Sequence, residues 1–253
     1  MHSVVVAVIV LAGSFGAALA GMAIAPRLPS THVGHETKRT VELGMGMIAT
    51  LSGLVLGLLV STSKSAFDSA DTEVKEIAAK LVVLDRVLAR YGPETTPVRT
   101  ELRHYVARKV DEVWGRSSTR AGRRDWSAGV ELEDALDRLS DLRPASDVQH
   151  VLKGRALALA AEVSQARWLI IEGNVGSVIP RPFLVIVIFW LVVLFMSFGL
   201  FAPRNAIAIV ALLVCAISVA TALFLVMELS QPFGGIIQLP SAAARNALAN
   251  LGK

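Results

Sequence analysis

The sequence predicts an all-α integral membrane protein, with four transmembrane helices and a helical cytoplasmic bundle inserted between the second and third. Of its 253 residues, 53% are hydrophobic and only 18% are charged, whereas soluble domains carry about 25% charged residues. The charges are also clustered, since 37 of the 46 charged residues lie in residues 64–181. The rest of the chain contains four apolar stretches that are each long enough to cross a bilayer.

These four stretches are long enough to be transmembrane helices, since a helix needs about 20 residues to cross about 30 Å of hydrocarbon. A helix is predicted because an isolated segment in lipid must form its backbone hydrogen bonds within itself. The stretches are Ser3–Ala25, Leu43–Ser63, Pro182–Pro203 and Asn205–Met227. Only Met1 and His2 precede the first stretch, so we expect a retained anchor rather than a cleaved signal peptide. The predicted domains are residues 1–63 and 182–228 in the membrane, 64–181 in the cytoplasm and an interfacial tail at 229–253.

Basic residues near the ends of the spans predict the orientation, because lysine and arginine are enriched on the cytoplasmic side of a membrane. Seven lie on one side and four on the other. The seven are Lys64, Lys75, Lys80, Arg167, Arg181, Arg245 and Lys253, and the four are Arg27, Lys38, Arg39 and Arg204. We therefore expect the charged domain and both termini to be cytoplasmic.

The charged domain is predicted to begin as a continuation of the second span. A heptad seam, spaced alternately by four and three residues, is formed by Ala70, Val74, Ile77, Leu81, Leu84, Leu88 and Tyr91. Neither glycine nor proline occurs between Thr62 and Tyr91, so one helix is expected to run until Gly92-Pro93. Further helices are predicted at residues 96–114, 130–142 and 147–173, and a short one from a Ser241 cap to Leu251.

The residue types present exclude several functions. The four spans contain no acidic, basic or histidine side chain, which argues against proton-coupled transport and voltage sensing. Residues 64–181 hold 19 basic and 18 acidic residues, so we expect no nucleic-acid partner. No phosphate-binding loop, dinucleotide turn or nucleophile elbow occurs, and we expect neither enzymatic activity nor a cofactor.

Two further features have both a functional and an incidental interpretation. His32 and His35 are a candidate metal or pH-sensing pair in the loop after the first span, although loop histidines are more often incidental. The basic segment from Arg116 to Arg124 is either a solvated loop or a contact for anionic headgroups or a phosphate-bearing ligand.

The second span holds the candidate functional residues. Small and hydroxyl residues followed by a lysine fall within about 80° of one another on a helix; this polar stripe consists of Gly46, Thr50, Gly53, Gly57, Ser61 and Lys64. One interpretation is close packing, with Gly53 and Gly57 against the first span at Gly13, Ala17 and Gly21. The other is a pore wall formed by symmetric copies of this helix. Candidate vestibule or gate residues are Asp68, Asp71, Glu228, Gln231 and Phe233.

Several motifs give the sequence a resemblance to a known family. They are Ser52-Gly-Leu-Val-Leu-Gly-Leu-Leu59, Lys64-Ser65, Leu84-Asp85-Arg86, Ala89-Arg90-Tyr91-Gly92, Phe198-Gly-Leu-Phe-Ala-Pro-Arg-Asn205 and, after Glu228, Gln231-Pro-Phe-Gly-Gly235. Together they resemble the bacterial bestrophin-like membrane proteins. The resemblance implies a pentamer in the bacterial inner membrane and an anion-selective pore lined by the second span. Two departures are the glycine and threonine of the polar stripe, where bestrophins have a bulky apolar neck, and the lack of an acidic calcium clasp.

The sequence therefore predicts a homo-oligomeric, passive ion channel whose partners are the lipid bilayer, inorganic ions and further copies of the chain. The second span is expected to surround the axis, and its extension to form a vestibule through the heptad seam. The alternative is a non-conducting membrane scaffold or sensor that binds a partner through the cytoplasmic domain. A small-molecule exporter is the third interpretation.

Overall fold

The computed structural model describes residues 2–27, 35–115, 130–175 and 181–253, and within these ranges it contains helices and turns but no strand. The α-helices are α1 (His2–Ile24), α2 (His35–Tyr91), α3 (Thr96–Trp114), α4 (Val130–Asp141), α5 (Asp147–Val175), α6 (Arg181–Phe201), α7 (Ala206–Leu229) and α8 (Ala242–Asn250). Short 3-10 turns follow α1 and α2, at Ala25–Arg27 and Pro93–Thr95. The all-α prediction is confirmed.

The four predicted spans correspond to four helices that are long and apolar enough to cross a membrane. These segments are Ser3–Arg27, Glu36–Tyr91, Pro182–Phe201 and Ala206–Leu229. The start of α7 follows from its sequence, because the Asn205 side chain accepts a hydrogen bond from the Ala208 amide at 2.8 Å. α2 begins at His35, before the predicted span Leu43–Ser63, and its first turns contain a Lys38–Glu42 ion pair at 3.7 Å.

The chain divides into two compact units. Unit 1 consists of Met1–Ala66, Ser177–Gln231 and Gly235–Ile237. Unit 2 consists of Phe67–Gly176, Pro232–Gly234 and Gln238–Lys253. The division falls within the uninterrupted helix α2, close to Lys64, where the composition changes from apolar to charged.

In unit 1 the first helix packs most closely against α6. Gly21 faces the Met196 carbonyl and the Leu200 amide, and Gly199 faces the Ala18 backbone, so a Cβ atom on either glycine would overlap the opposite main chain. Small residues allow this approach of two backbones, which supplies the packing contact that helices need in lipid.

Within the chain, the structure does not show the packing interpretation, in which α1 and α2 meet through their small residues. Gly21 packs on α6, and a Cβ atom added to Gly13, Gly53 or Gly57 would meet nothing within 4 Å among the residues that the structure describes. The motif identified surfaces that allow close approach. It did not identify the partner, because α1, α2 and α6 all carry small residues.

Unit 2 has a core to which α2, α3, α4, α5 and the end of the chain all contribute. Its buried side chains include Leu81, Leu84, Leu88, Leu102, Leu139, Ala160, Val163 and Leu251. The heptad seam of α2 therefore packs inside its own chain, so its buried residues are not the ones that would face a vestibule. A seam with period 3.5 identifies a buried helix face but not whether the partner belongs to the same chain.

The end of α2 is fixed by Gly92, whose φ of 140° is disfavoured for residues with a side chain. Thr95 lies within the turn that follows and is fully buried. Its hydroxyl donates to the Leu88 carbonyl at 2.6 Å, which satisfies one of the acceptors left open at a helix C-terminus.

The last residues of the chain pack into unit 2. The buried carboxylate of Asp85 accepts hydrogen bonds from Arg99 Nε at 2.8 Å and Nη2 at 3.0 Å, and from the Gly252 amide at 3.1 Å. The Trp114 indole donates to the Leu239 carbonyl at 2.8 Å. α8 begins where predicted, but the Ser241 side chain makes no capping hydrogen bond.

Candidate pore helix and the Glu228 turn

The polar stripe of α2 is exposed along its whole length. Gly46, Thr50, Gly53, Gly57, Ser61 and Lys64 all lie on the open side of the helix. A Cβ atom at Gly46 would also meet nothing within 4 Å in the described part of the chain. The Thr50 hydroxyl donates to the Gly46 carbonyl one turn earlier, at 2.9 Å. The stripe is thus a shallow surface with one hydroxyl held against the helix and another, on Ser61, exposed.

The opposite side of α2 is buried within unit 1. Ser52, Leu59 and Ser63 are at most 8% exposed. Leu59 belongs to a cluster that includes Val10 of α1 and Leu223 of α7. The Ser63 hydroxyl lies 3.2 Å from the Ser230 hydroxyl just beyond α7. This burial fixes the rotation of α2 in unit 1, and it is the reason that the polar stripe faces outward.

A row of large apolar side chains lies beside the polar stripe. Leu43, Met47, Leu51, Leu54 and Leu58 are between 49% and 71% exposed. The exposed half of α2 therefore combines bulky apolar residues with small polar ones. A helix between lipid and a pore, or between lipid and further copies of the chain, needs such a surface.

The exposed stripe continues beyond Ser61 as charged residues. Lys64 and Asp68 are exposed, and Asp71 forms an ion pair with Lys75 one turn further on. α2 therefore carries its candidate pore-lining positions and the first candidate vestibule positions on one uninterrupted helix.

Glu228 is fully buried at the end of α7. Its Oε2 atom accepts hydrogen bonds from the amides of Ile236 and Ile237, in the turn that follows the helix. Its Oε1 atom is buried without a hydrogen-bond partner in the described residues. The carboxylate therefore organises the turn through backbone donors.

Gly235 was not among the sequence candidates, and the structure shows why a glycine stands there. A Cβ atom at this position would overlap the Oε2 atom of Glu228. The signal was present in the sequence as two successive glycines a few residues after an acidic helix end, but turn glycines are too common to indicate a carboxylate contact.

The other two candidates after α7 lie in the same turn. The Gln231 amide donates to the Glu228 carbonyl at 3.0 Å, and the Gln231 carbonyl accepts from Gly235 at 3.2 Å. Phe233 belongs to unit 2, where it packs beside the buried residues Val74 and Leu239.

The candidate metal pair cannot be placed. His32 and the side chain of His35 lie outside the described residues, although the His35 backbone begins α2. Among the described residues no three His, Cys, Asp or Glu side chains form a group that could hold a metal ion.

Four apolar helices and a second helical unit define the class of this protein as a multi-pass α-helical membrane protein. The family model described as "Bestrophin-like domain" matches residues 12–244, so the chain belongs to the bestrophin-like family. The sequence-based recognition is confirmed.

Solved structures show the same fold. A bacterial bestrophin homologue from Klebsiella pneumoniae, phased on zinc, is 15% identical with a TM-score of 0.66, and 96% of each chain is covered. Two single-residue variants of a bacterial bestrophin homologue from that organism are each 16% identical with TM-scores of 0.66. The alignments cover 96% and 98% of this chain and 94% and 99% of theirs. No curated protein matches. The chain therefore has the fold of these bacterial bestrophin homologues.

Proposed function

We propose that this protein is a homo-oligomeric, passive ion channel of the bacterial inner membrane, with α2 lining the pore and both termini in the cytoplasm. The observation that carries the proposal is the exposed polar stripe on α2, which continues into charged residues on the same helix. The pentameric state is inferred from the family resemblance.

The exposed stripe favours a pore wall for a physical reason. Glycine, threonine and serine expose backbone carbonyls and hydroxyls, which can replace part of the hydration shell of an ion. Against lipid the same residues would bury little apolar surface. Symmetric copies around an axis would remove the stripe from lipid and direct it to a shared water-filled path.

Anion preference is proposed from Lys64, which is exposed where the apolar part of α2 ends. Five or so copies of this lysine around an axis would form a positively charged ring, as in anion-conducting pores. Asp68 and Asp71 follow on the same side of α2. Asp71 is already paired with Lys75, which reduces its effect on a passing anion.

Liposomes containing the purified protein test this function. We expect a stable oligomer by mass measurement in detergent, and chloride efflux that needs neither a proton gradient nor ATP. A monomer or dimer without efflux would contradict the channel. A stable oligomer without efflux would favour the scaffold alternative, whose basic segment from Arg116 to Arg124 lies outside the described residues.

The selectivity is tested separately with Lys64→Glu. Reversing the charge of the ring should lower the chloride-to-potassium permeability ratio, because the local potential changes sign. Lys80→Glu is the control, since Lys80 pairs with Glu162 in unit 2 and its reversal should leave the ratio unchanged. An unchanged ratio in Lys64→Glu would remove Lys64 from the pore.

A further inference from the structure

Arg167 occupies a core position of helix α5. The buried face of this helix is formed by Ala156, Ala160, Val163 and Arg167, at spacings of four, three and four residues. The first three side chains are 1% exposed and pack in the core of unit 2, and Arg167 is 3% exposed. An arginine thus occupies a position on the buried face of α5 where the helical periodicity predicts an apolar residue.

The guanidinium group of Arg167 has no acidic partner in the described part of the chain. Its Nε and Nη1 atoms are buried and donate no hydrogen bond there. The guanidinium carbon lies 5.7 Å from the centroid of the Trp168 ring. Glu162, on the same helix, instead binds Lys80 at 3.2 Å.

Such a group is costly to bury. Arginine remains protonated in proteins, so Arg167 cannot avoid the cost of burial by losing its charge. An unpaired buried ion remains unfavourable even after its surroundings relax, and a counter-charge offsets this cost. Asp85, which is also a buried charged residue of unit 2, has such a partner in Arg99.

We propose that Arg167 is the binding residue of an oxyanion site in unit 2, for a ligand that presents a phosphate-type group. A guanidinium binds an oxyanion through either of two edges, Nε with Nη2 or Nη1 with Nη2. Each edge contains one of the two buried nitrogen atoms that lack a partner among the described residues. A planar fork of donors matches two oxygen atoms better than it matches a halide ion, which distinguishes this site from the proposed pore.

The test uses the full-length protein in detergent, with inorganic phosphate as the probe. Its thermal unfolding is followed at constant ionic strength as phosphate replaces chloride. We expect a saturable rise of the unfolding midpoint, because a ligand that binds only the folded state stabilises it. Arg167→Gln should weaken phosphate binding at least about tenfold, since the charge-assisted hydrogen bonds are lost. Arg167→Lys should recover only part of the affinity, because an ammonium group lacks the fork.

Arg155→Gln is the matched control, since Arg155 is an exposed arginine on the same helix. It should leave phosphate binding unchanged. Equal phosphate dependence in wild type and Arg167→Gln would overturn the proposal. If Arg167→Gln does not fold, equilibrium dialysis of radiolabelled phosphate with the wild type decides: saturable binding at one site per chain supports the proposal, and its absence overturns it.

A second set of measurements distinguishes a free phosphate from a lipid headgroup. Vesicles containing phosphatidylglycerol are compared with neutral phosphatidylcholine vesicles, in buffer with and without phosphate. Displacement of labelled phosphate by phosphatidylglycerol assigns the site to a headgroup, and retention of the label assigns it to a soluble oxyanion. Neither outcome depends on ion flux, so this inference and the channel proposal can fail independently.

Discussion

At the level of single residues, two buried carboxylates are held by donors that lie far along the sequence or in the turn after a helix. Asp85 accepts from Arg99 and Gly252, and Glu228 accepts from the Ile236 and Ile237 amides. Removing one partner of a buried charged group costs more than the hydrogen bond itself, because the remaining group stays desolvated.

Replacement of Gly235 by alanine should destabilise the protein. The added methyl group would overlap Glu228 Oε2, and such overpacking costs about 1–3 kcal/mol. Gly154→Ala is the control, because an added Cβ atom there meets nothing within 4 Å of the described chain. That change should stabilise α5 by up to about 1 kcal/mol through helix propensity. Thermal unfolding in detergent measures both, and equal midpoints would contradict the close contact of Gly235 with Glu228.

Arg99→Ala should lower the free energy of unfolding by about 3–5 kcal/mol, because it leaves the buried Asp85 without its counter-ion. Arg138→Ala removes a more exposed pair with Glu101 and should cost about 0–1 kcal/mol. Chemical denaturation of the two variants measures the difference. A loss in Arg99→Ala no larger than in Arg138→Ala would show that Asp85 gains little from the pair.

Because Arg99 stays protonated near neutral pH, its ion pair with Asp85 should contribute the same free energy of unfolding throughout that pH range. Hydrogen bonding to Asp85 raises the pKa of Arg99 above its ordinary value, against the opposing effect of burial. A raised pKa gives stability that is present at lower pH and lost only as the pH rises through that value. The free-energy difference between wild type and Arg99→Gln should therefore be constant between pH 7 and pH 9, as measured by denaturation.

At the level of helices, α2 is the element that the sequence predicts best, and α1 is the one whose partner it misses. The lack of glycine and proline from Thr62 to Tyr91 predicts one helix through the change in composition, and the helix is continuous. Small-residue motifs in contrast indicate only that a close approach is possible. The partner of α1 depends on the shape of the α6 surface, which cannot be inferred from the small-residue motif of α1.

Gly21→Ala should destabilise the contact of α1 with α6 by about 1–3 kcal/mol, since its methyl group would overlap the Met196 carbonyl. Gly13→Ala lies on the same helix in open space and should be neutral or stabilise the protein by up to about 1 kcal/mol through helix propensity. Thermal unfolding of the two variants in detergent compares them. Equal effects would contradict the assigned packing of α1.

At the level of the whole molecule, the sequence predicts the fold class, the four spans and the family. These depend on hydropathy over long windows and on motifs spread along the chain. The candidate site is harder to predict from the sequence, because exposure of the polar stripe depends on how the other spans bury Ser52 and Ser63. Burial of Glu228 and Arg167 depends similarly on long-range packing, which the identity of a residue does not reveal.

The central claim is that the exposed stripe of α2 lines the ion path, and cysteine modification tests it most directly. In a Cys215→Ser background, Ser61→Cys and Ser63→Cys are each reconstituted and treated with a charged, water-soluble thiol reagent. Ser61 is exposed and Ser63 is buried against Ser230, so we predict that the reagent blocks chloride efflux through Ser61→Cys and leaves Ser63→Cys conducting. Unchanged efflux through a fully labelled Ser61→Cys protein would contradict the account.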